Sequence, residues 1–245
     1  VEEIGFNLFN IKPKPNWRFT YNGLSKIGPL SEIFQNFNIT HAYNSQLTIN
    51  SFQTDFNYED SLNTGWPSAR DSIAGNFYPI YTVPQIMLSE QFAPLIGLDI
   101  TLQNGLTARV EYKKSRQVML NLVDYQMIET KSTEVTIGGG YRVKGVKLPF
   151  KIRGKEARLE NDLNFRFDFS LRDDRTNNYV LDQNTSEPTQ GALTYTISPQ
   201  VDYVINDRLN IRLFFDHRRT EPYTSASFPI SNTNGGIAIR FTLAE

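Results

Sequence analysis

Between Leu159 and Leu171 the chain alternates two chemistries with a period of two residues. The odd positions are Leu159, Asn161, Leu163, Phe165, Phe167, Phe169 and Leu171; the even ones are Glu160, Asp162, Asn164, Arg166, Asp168 and Ser170. Successive side chains of a strand point to opposite faces. The spacing therefore predicts a strand with an apolar face, broken only by Asn161, and a charged face. In a soluble sheet the Phe row packs into a core and the charges meet water. In a membrane barrel the Phe row meets lipid and the charges line a wet lumen.

Composition narrows this choice. No apolar run approaches the roughly 20 residues that a spanning helix needs, and the mean hydropathy is −0.41. A barrel escapes that requirement, because only alternate residues of its strands meet lipid. Its lipid face and interfacial girdles call for aromatics, and these make up 13% of the 245 residues, with 17 Phe, 12 Tyr and 2 Trp. A formal net charge of −1 gives no field for nucleic acid. The absence of cysteine removes disulfides, thiolate metal sites and thiol nucleophiles. The chain begins at Val1 with no secretory leader, as expected of a processed product or a section of something longer.

Taken in order, residues 1–14 read as an incoming loop with Pro13. Trp17, Phe19 and Tyr21 mark a first strand near 16–24, and Ser31 is placed to cap a short helical turn in the connector that follows. A long strand runs over 37–52, with Phe37, Ile39, His41, Tyr43, Leu47 and Ile49 on one face; 54–79 is the longest loop. Ile86, Leu88, Phe92, Ile96, Leu98, Ile100 and Leu102 keep a single parity past Glu90 and Pro94. That predicts one strand over 83–102, with Pro94 at a bulge or an edge. Asn104-Gly105 marks a hairpin. A three-residue loop, with Gly105 in the left-handed position of a G1 bulge, pairs Leu102 with Leu106, Ile100 with Ala108 and Leu98 with Val110. A two-residue loop would mix the faces.

Further strands are predicted over 106–122 and 128–143, the second with Val135, Ile137, Tyr141 and Val143 on its apolar face. The Gly138-Gly139-Gly140 run on that strand implies a tight bend or close approach of another chain. A basic connector follows (Lys144, Lys147, Lys151, Arg153, Lys155), then the strand of the opening paragraph and a loop over 173–190. Leu193, Tyr195, Ile197, Val201, Tyr203 and Ile205 form a strand, which Asn206-Asp207-Arg208 turns into Leu209, Ile211, Leu213 and Phe215. Ile237, Ile239, Phe241 and Leu243 alternate with Ala238, Arg240 and Thr242 in the last.

The connections at 25–34, 103–105, 144–156 and 206–208 are short. Those at 54–79, 173–190 and 218–234 are long, with 123–127 a short exception at that end. Short turns at one end and long loops at the other, on strands long enough to cross a bilayer, are the outer-membrane arrangement, with the short end periplasmic. The expected fold is all-β: an antiparallel transmembrane β-barrel segment of about 9–10 long strands over 15–245, with no separate soluble domain. An odd count of nine puts the two chain ends on opposite sides of the membrane. Either a strand within 1–14 completes the set, or the chain is the C-terminal part of a much larger barrel.

Parity assigns Arg109, Glu111, Lys113, Arg166, Asp168, Arg172, Asp202, Arg212 and Arg240 to the lumen, and Leu163, Phe165, Phe167, Phe169, Leu213, Phe215, Ile237, Ile239 and Phe241 to lipid. No catalytic, cofactor or metal site is expected. Asp216 and His217 are strand neighbours and point to opposite faces, so they do not cooperate. Glu160, Asp162 and Asp168 are interleaved with Arg158 and Arg166, as in cross-strand ion pairs. Counting a calcium loop from Asp55 puts Asp60 where the turn needs Gly and Trp66 where it needs Glu, so Asp55, Glu59 and Asp60 read as a solvated acidic loop. Asp173-Asp174 reads likewise, and the Gly138 run lacks the Lys-Ser/Thr of a phosphate loop.

Several stretches also carry a resemblance. Ser89–Asp99 (SEQFAPLIGLD), Asn104–Arg116 (NGLTARVEYKKSR), Gly138–Arg142 (GGGYR), Phe215–Tyr223 (FDHRRTEPY) and Asn232–Ile237 (NTNGGI) are similar to the C-terminal region of the SprA/Sov family. The resemblance spans about 15–245. It implies an integral outer-membrane translocon of the type nine secretion system of Bacteroidota, which exports folded cargo and serves gliding motility. The implied partners are the remainder of the large barrel polypeptide, a PorV-like shuttle barrel, a periplasmic plug protein, cargo bearing the C-terminal secretion signal, and outer-membrane lipid. Length departs from the family, whose members are many times longer. From the residues alone, a self-contained small barrel acting as porin, adhesin or enzyme is the alternative.

Overall fold

The computed structural model describes residues 15–147, 151–152, 155–156, 160–206, 209–224 and 227–241. Nine strands form one antiparallel sheet in which every strand lies beside its neighbours in sequence. They are β1 (Trp17–Tyr21), β2 (Phe34–Asn50), β3 (Gln85–Leu102), β4 (Thr107–Asn121), β5 (Gln126–Lys147), β6 (Glu160–Val180), β7 (Thr185–Asn206), β8 (Leu209–Pro222) and β9 (Ile230–Phe241). Among the described residues β1 and β9 each have one strand neighbour, and the sheet does not close. The fold is all-β and antiparallel, of a form compatible with an outer-membrane barrel, and no helix of the described residues is long and apolar enough to cross a membrane. The proposed incoming loop 1–14 lies outside the described residues, as do Leu159, Arg158, Arg153, Thr242 and Leu243.

The β3–β4 hairpin has the predicted geometry. The Leu102 amide donates to the Leu106 carbonyl (2.8 Å) and the Gly105 amide to the Leu102 carbonyl (3.0 Å). Gly105 sits at φ +84, and Ile100↔Ala108 and Leu98↔Val110 are in register. The register of β3 shifts between Phe92 and Ile96 on the β4 side and opposite Thr40–Tyr43 on the β2 side. Residues 93–95 thus form a bulge around Pro94, and the two extra residues leave parity unchanged, so Phe92 and Ile96 stay on one face.

Other expectations need correction. Ser31 does not cap the start of its helical turn, α1 (Gly28–Ser31): it ends that turn, its hydroxyl donating back to the Gly28 carbonyl (2.7 Å), and Pro29 occupies the first turn instead. The segment 173–190 is not a loop. β6 continues to Val180 and β7 resumes at Thr185, with 172–180 paired to 126–134 on one side and to 185–194 on the other. Likewise β8 runs to Pro222 and β9 starts at Ile230, which leaves 223–229 between them. At this end the described long connection is 51–84, which carries its own ribbon of Gln53–Thr54 against Tyr81–Thr82. The glycine run makes no bend: β5 keeps unbroken register with β4 from Gly140 to Gln126.

Register sorts the two faces. One apolar row runs Ala108, Gly139, Phe167, Pro199, Phe215, and the next Tyr141, Phe165, Val201, Leu213, Ile237. On β6 this apolar face extends from Leu163 to Leu171, close to the roughly 9–11 residues that a tilted strand needs to cross a bilayer. At Asp173 and Arg175 the same face becomes charged, so over 173–178 the strand is polar on both faces.

Candidate functional site

All nine charged residues assigned to a lumen share one face of the sheet. Asp99, Arg109, Gly138 and Asp168 lie side by side in one row. Glu111 and Lys113 lie on the next two rows, opposite Thr136 and Glu134, with Arg172 beyond Glu134. Arg142, Asn164, Asp202 and Arg212 form a row on the other side, and Arg240 pairs with Asn210 one step further. The nine residues assigned to lipid share the opposite face.

A trough of about 710 Å³ opens on the charged face, lined among others by Asp99, Thr107, Arg109, Arg142, Arg166 and Arg212. Its floor is β5, where Gly138 and Gly140 point inward and contribute no side chain. Neighbours lean across them: a Cβ on Gly138 would lie 3.0 Å from Asp168 Oδ1, and one on Gly140 would lie 2.9 Å from Thr107 Oγ1. The groups that approach this run are side chains of the flanking strands β4 and β6, rather than the other chain expected there.

Ion pairs here follow an order the sequence did not reveal. Arg166 was expected to pair across strands, but its Nε donates to Asp168 on the same strand (2.7 Å). The reason is geometric. Opposite Arg166 stand Gly140 and Gln200, and opposite Asp168 stand Gly138 and Ser198, so neither neighbour offers a counter-charge. Arg109 likewise holds Glu111 through Nε (3.1 Å), and Lys113 Nζ reaches Glu111 from the other side (3.0 Å). Arg172–Asp174 and Arg175–Asp173 repeat the pattern. Arg142–Asp162 and Arg212–Asp202 do cross between strands.

On the opposite face the structure adds a group that parity had marked only as an interruption. Glu90 is fully buried. Its Oε1 accepts a hydrogen bond from the Tyr43 hydroxyl (2.7 Å), and its Oε2 lies 3.6 Å from Arg116 Nη1. Arg116 Nε holds Glu129 (2.6 Å), which also takes Lys131 (2.9 Å) and the Tyr179 hydroxyl (3.2 Å). Trp17 stacks on Tyr43 with centroids 4.5 Å apart. The sequence signal was a charge on the apolar parity of three successive strands: Glu90, Arg116 and Glu129.

The acidic loop uses its carboxylates on its own backbone. Asp60 accepts the amides of Thr64 (3.0 Å) and Gly65 (2.7 Å), Asp55 that of Asn57 (2.9 Å), and Asp71 those of Ile73 (2.7 Å) and Ala74 (3.2 Å). The Thr64 amide leads in holding Asp60 below the usual carboxylate range, and the Ile73 amide does the same for Asp71. Among the described residues no three His, Asp or Glu side chains converge to hold a metal ion. His217 lies on the Phe face, its Nδ1 2.8 Å from Thr233 Oγ1, while Asp216 belongs to the other face beside Asn234. No protein-family model matches the chain, and no curated protein sequence matches it.

Proposed function

We propose that this chain forms part of the wall of an outer-membrane, protein-conducting barrel of the SprA/Sov kind, with its charged face toward a hydrated passage and its Phe face toward lipid. The observation that carries this reading is a nine-stranded meander, unclosed among the described residues, whose apolar and charged faces are segregated over the Leu163–Leu171 band. An exposed twelve-residue edge such as β9 is a template for another strand. A barrel must satisfy every backbone group in lipid, so such a wall needs further strands beside both edges. Under this reading the neighbours are those the resemblance implies: the rest of a large barrel polypeptide, a PorV-like shuttle barrel, a periplasmic plug and secreted cargo with its C-terminal signal. The proteins act by passage, with no chemistry of their own.

Native mass spectrometry of the protein extracted from membranes tests the reading. This sequence is expected within, or bound to, a polypeptide several times its mass. If the 245 residues refold alone in detergent into a closed, heat-modifiable barrel, the wall reading fails and a small self-contained barrel replaces it.

A further inference from the structure

We propose that the glycine-floored trough on the charged face is a binding seat for an acidic stretch of extended polypeptide. It rests on the passage reading only for where such a polypeptide would come from. Formally this wall is close to charge-balanced, and that balance points to no preferred ligand. Depth decides otherwise. The side chains of Arg109, Arg142, Arg166 and Arg212 are 59, 61, 66 and 51% exposed, whereas those of their partners Glu111, Asp162, Asp168 and Asp202 are 12, 25, 41 and 16% exposed. In each pair the cation stands above its carboxylate.

The cause is side-chain length. The aspartate and glutamate stems are shorter than that of arginine, which carries its guanidinium over the carboxylate. Arg166 and Arg212 engage their partners through Nε at 2.7 Å, an arrangement that leaves the Nη edge of a planar fork for a second carboxylate. Two such forks face the trough, beside Arg109 and Arg142, which engage their carboxylates through both Nε and Nη2, and Gly138 and Gly140 give it depth where any other residue would fill it. A ligand lying there meets guanidinium first and the recessed acids only at close range. Carboxylate-bearing peptide is therefore favoured over basic peptide.

The test uses the purified full-length protein in detergent and two fluorescein-labelled ten-residue peptides, one alternating Glu with Ser and one alternating Lys with Ser. Fluorescence anisotropy should show the acidic peptide binding at least tenfold more tightly than the basic one. Arg109→Gln combined with Arg166→Gln should weaken the acidic peptide at least tenfold. So should Gly138→Leu, which fills the trough without changing charge and whose Cβ meets the flexible carboxylate of Asp168 first (3.0 Å). On the unmodified protein, a photo-crosslinking version of the acidic peptide should label 107–109, 138–142 and 164–168. Equal binding of the two peptides, or labelling confined to other segments, would overturn the seat. Ion current through the same protein in planar bilayers reports separately on the passage. Current without selective peptide binding sinks the seat alone, and selective binding without current keeps the seat and sinks the passage.

Discussion

The Tyr43 hydroxyl donates to Glu90 across 2.7 Å on the face of the sheet that elsewhere carries Phe165, Phe167 and Phe169. Both side chains are buried, and Glu90 Oε2 has no hydrogen-bond partner of its own among the described residues. The pair therefore depends on this one neutral donor and on Arg116. Tyr43→Phe keeps the stack on Trp17 but leaves the second carboxylate oxygen without its donor. Removing a partner from a buried acceptor costs about 1–3 kcal/mol. A lowered unfolding midpoint in urea is the expected outcome, and Tyr43→Phe combined with Glu90→Gln should lose less than the sum of the two single variants.

Phe167 lies at the centre of the Leu163–Leu171 apolar band, three residues from Ser170 on the opposite face. Under the proposed membrane reading, Phe167→Arg should cost about 2–4 kcal/mol at mid-bilayer depth, while Ser170→Arg should be tolerated among the charges already there. Refolding equilibria of both variants in lipid vesicles check this. Equal losses at the two positions would mean that the faces have been read the wrong way.

At Gly105 the hairpin requires a left-handed backbone, φ +84, with no neighbouring atom in the way of a side chain. The cost of Gly105→Ala is then conformational alone, about 1–2 kcal/mol. Gly105→Asn should lose less, because Asn tolerates this region. Chemical denaturation of the pair separates backbone strain from steric clash: if Asn is no better than Ala, clash has been overlooked.

This hairpin and the Pro94 bulge were legible in the sequence because parity is a hard constraint: a one-residue slip would move every later side chain to the wrong face. The strand extensions over 173–180 and 185–190 were not. Asp173, Asp174, Asn177 and Asn178 have poor strand propensity, and pairing on both sides overrode it. Thr130–Thr176 and Thr194–Thr220 hydroxyl contacts across the strands (3.0 and 3.1 Å) help to hold these polar ends. The partners of Arg166 and Asp168 were illegible for another reason. Naming them required knowing that Gly138 and Gly140 stand opposite, a relationship between residues far apart in sequence.

The long loop should respond to acid. Asp60 and Asp71 have folded-state pKa values below the ordinary carboxylate range of about 4. Their contribution to loop order is therefore fully present above that range, and it is lost as pH falls through the lower folded values. Hydrogen–deuterium exchange, corrected for intrinsic rates, should show protection at Thr64, Gly65, Ile73 and Ala74 that holds to about pH 4 and declines below it. Asp60→Asn combined with Asp71→Asn should flatten this dependence. Loss of protection already at pH 5 in the unmodified protein would contradict the depressed values.

Seven of the twelve described ion pairs join residues two apart on one strand: Arg109–Glu111, Lys113–Glu111, Lys131–Glu129, Arg166–Asp168, Arg172–Asp174, Arg175–Asp173 and Arg219–Glu221. A strand so built is electrically self-contained. It can be added to a growing sheet, or peeled from one, with much of its charge already neutralised. The seams between strands are then held chiefly by backbone hydrogen bonds, and the sheet can be assembled one strand at a time.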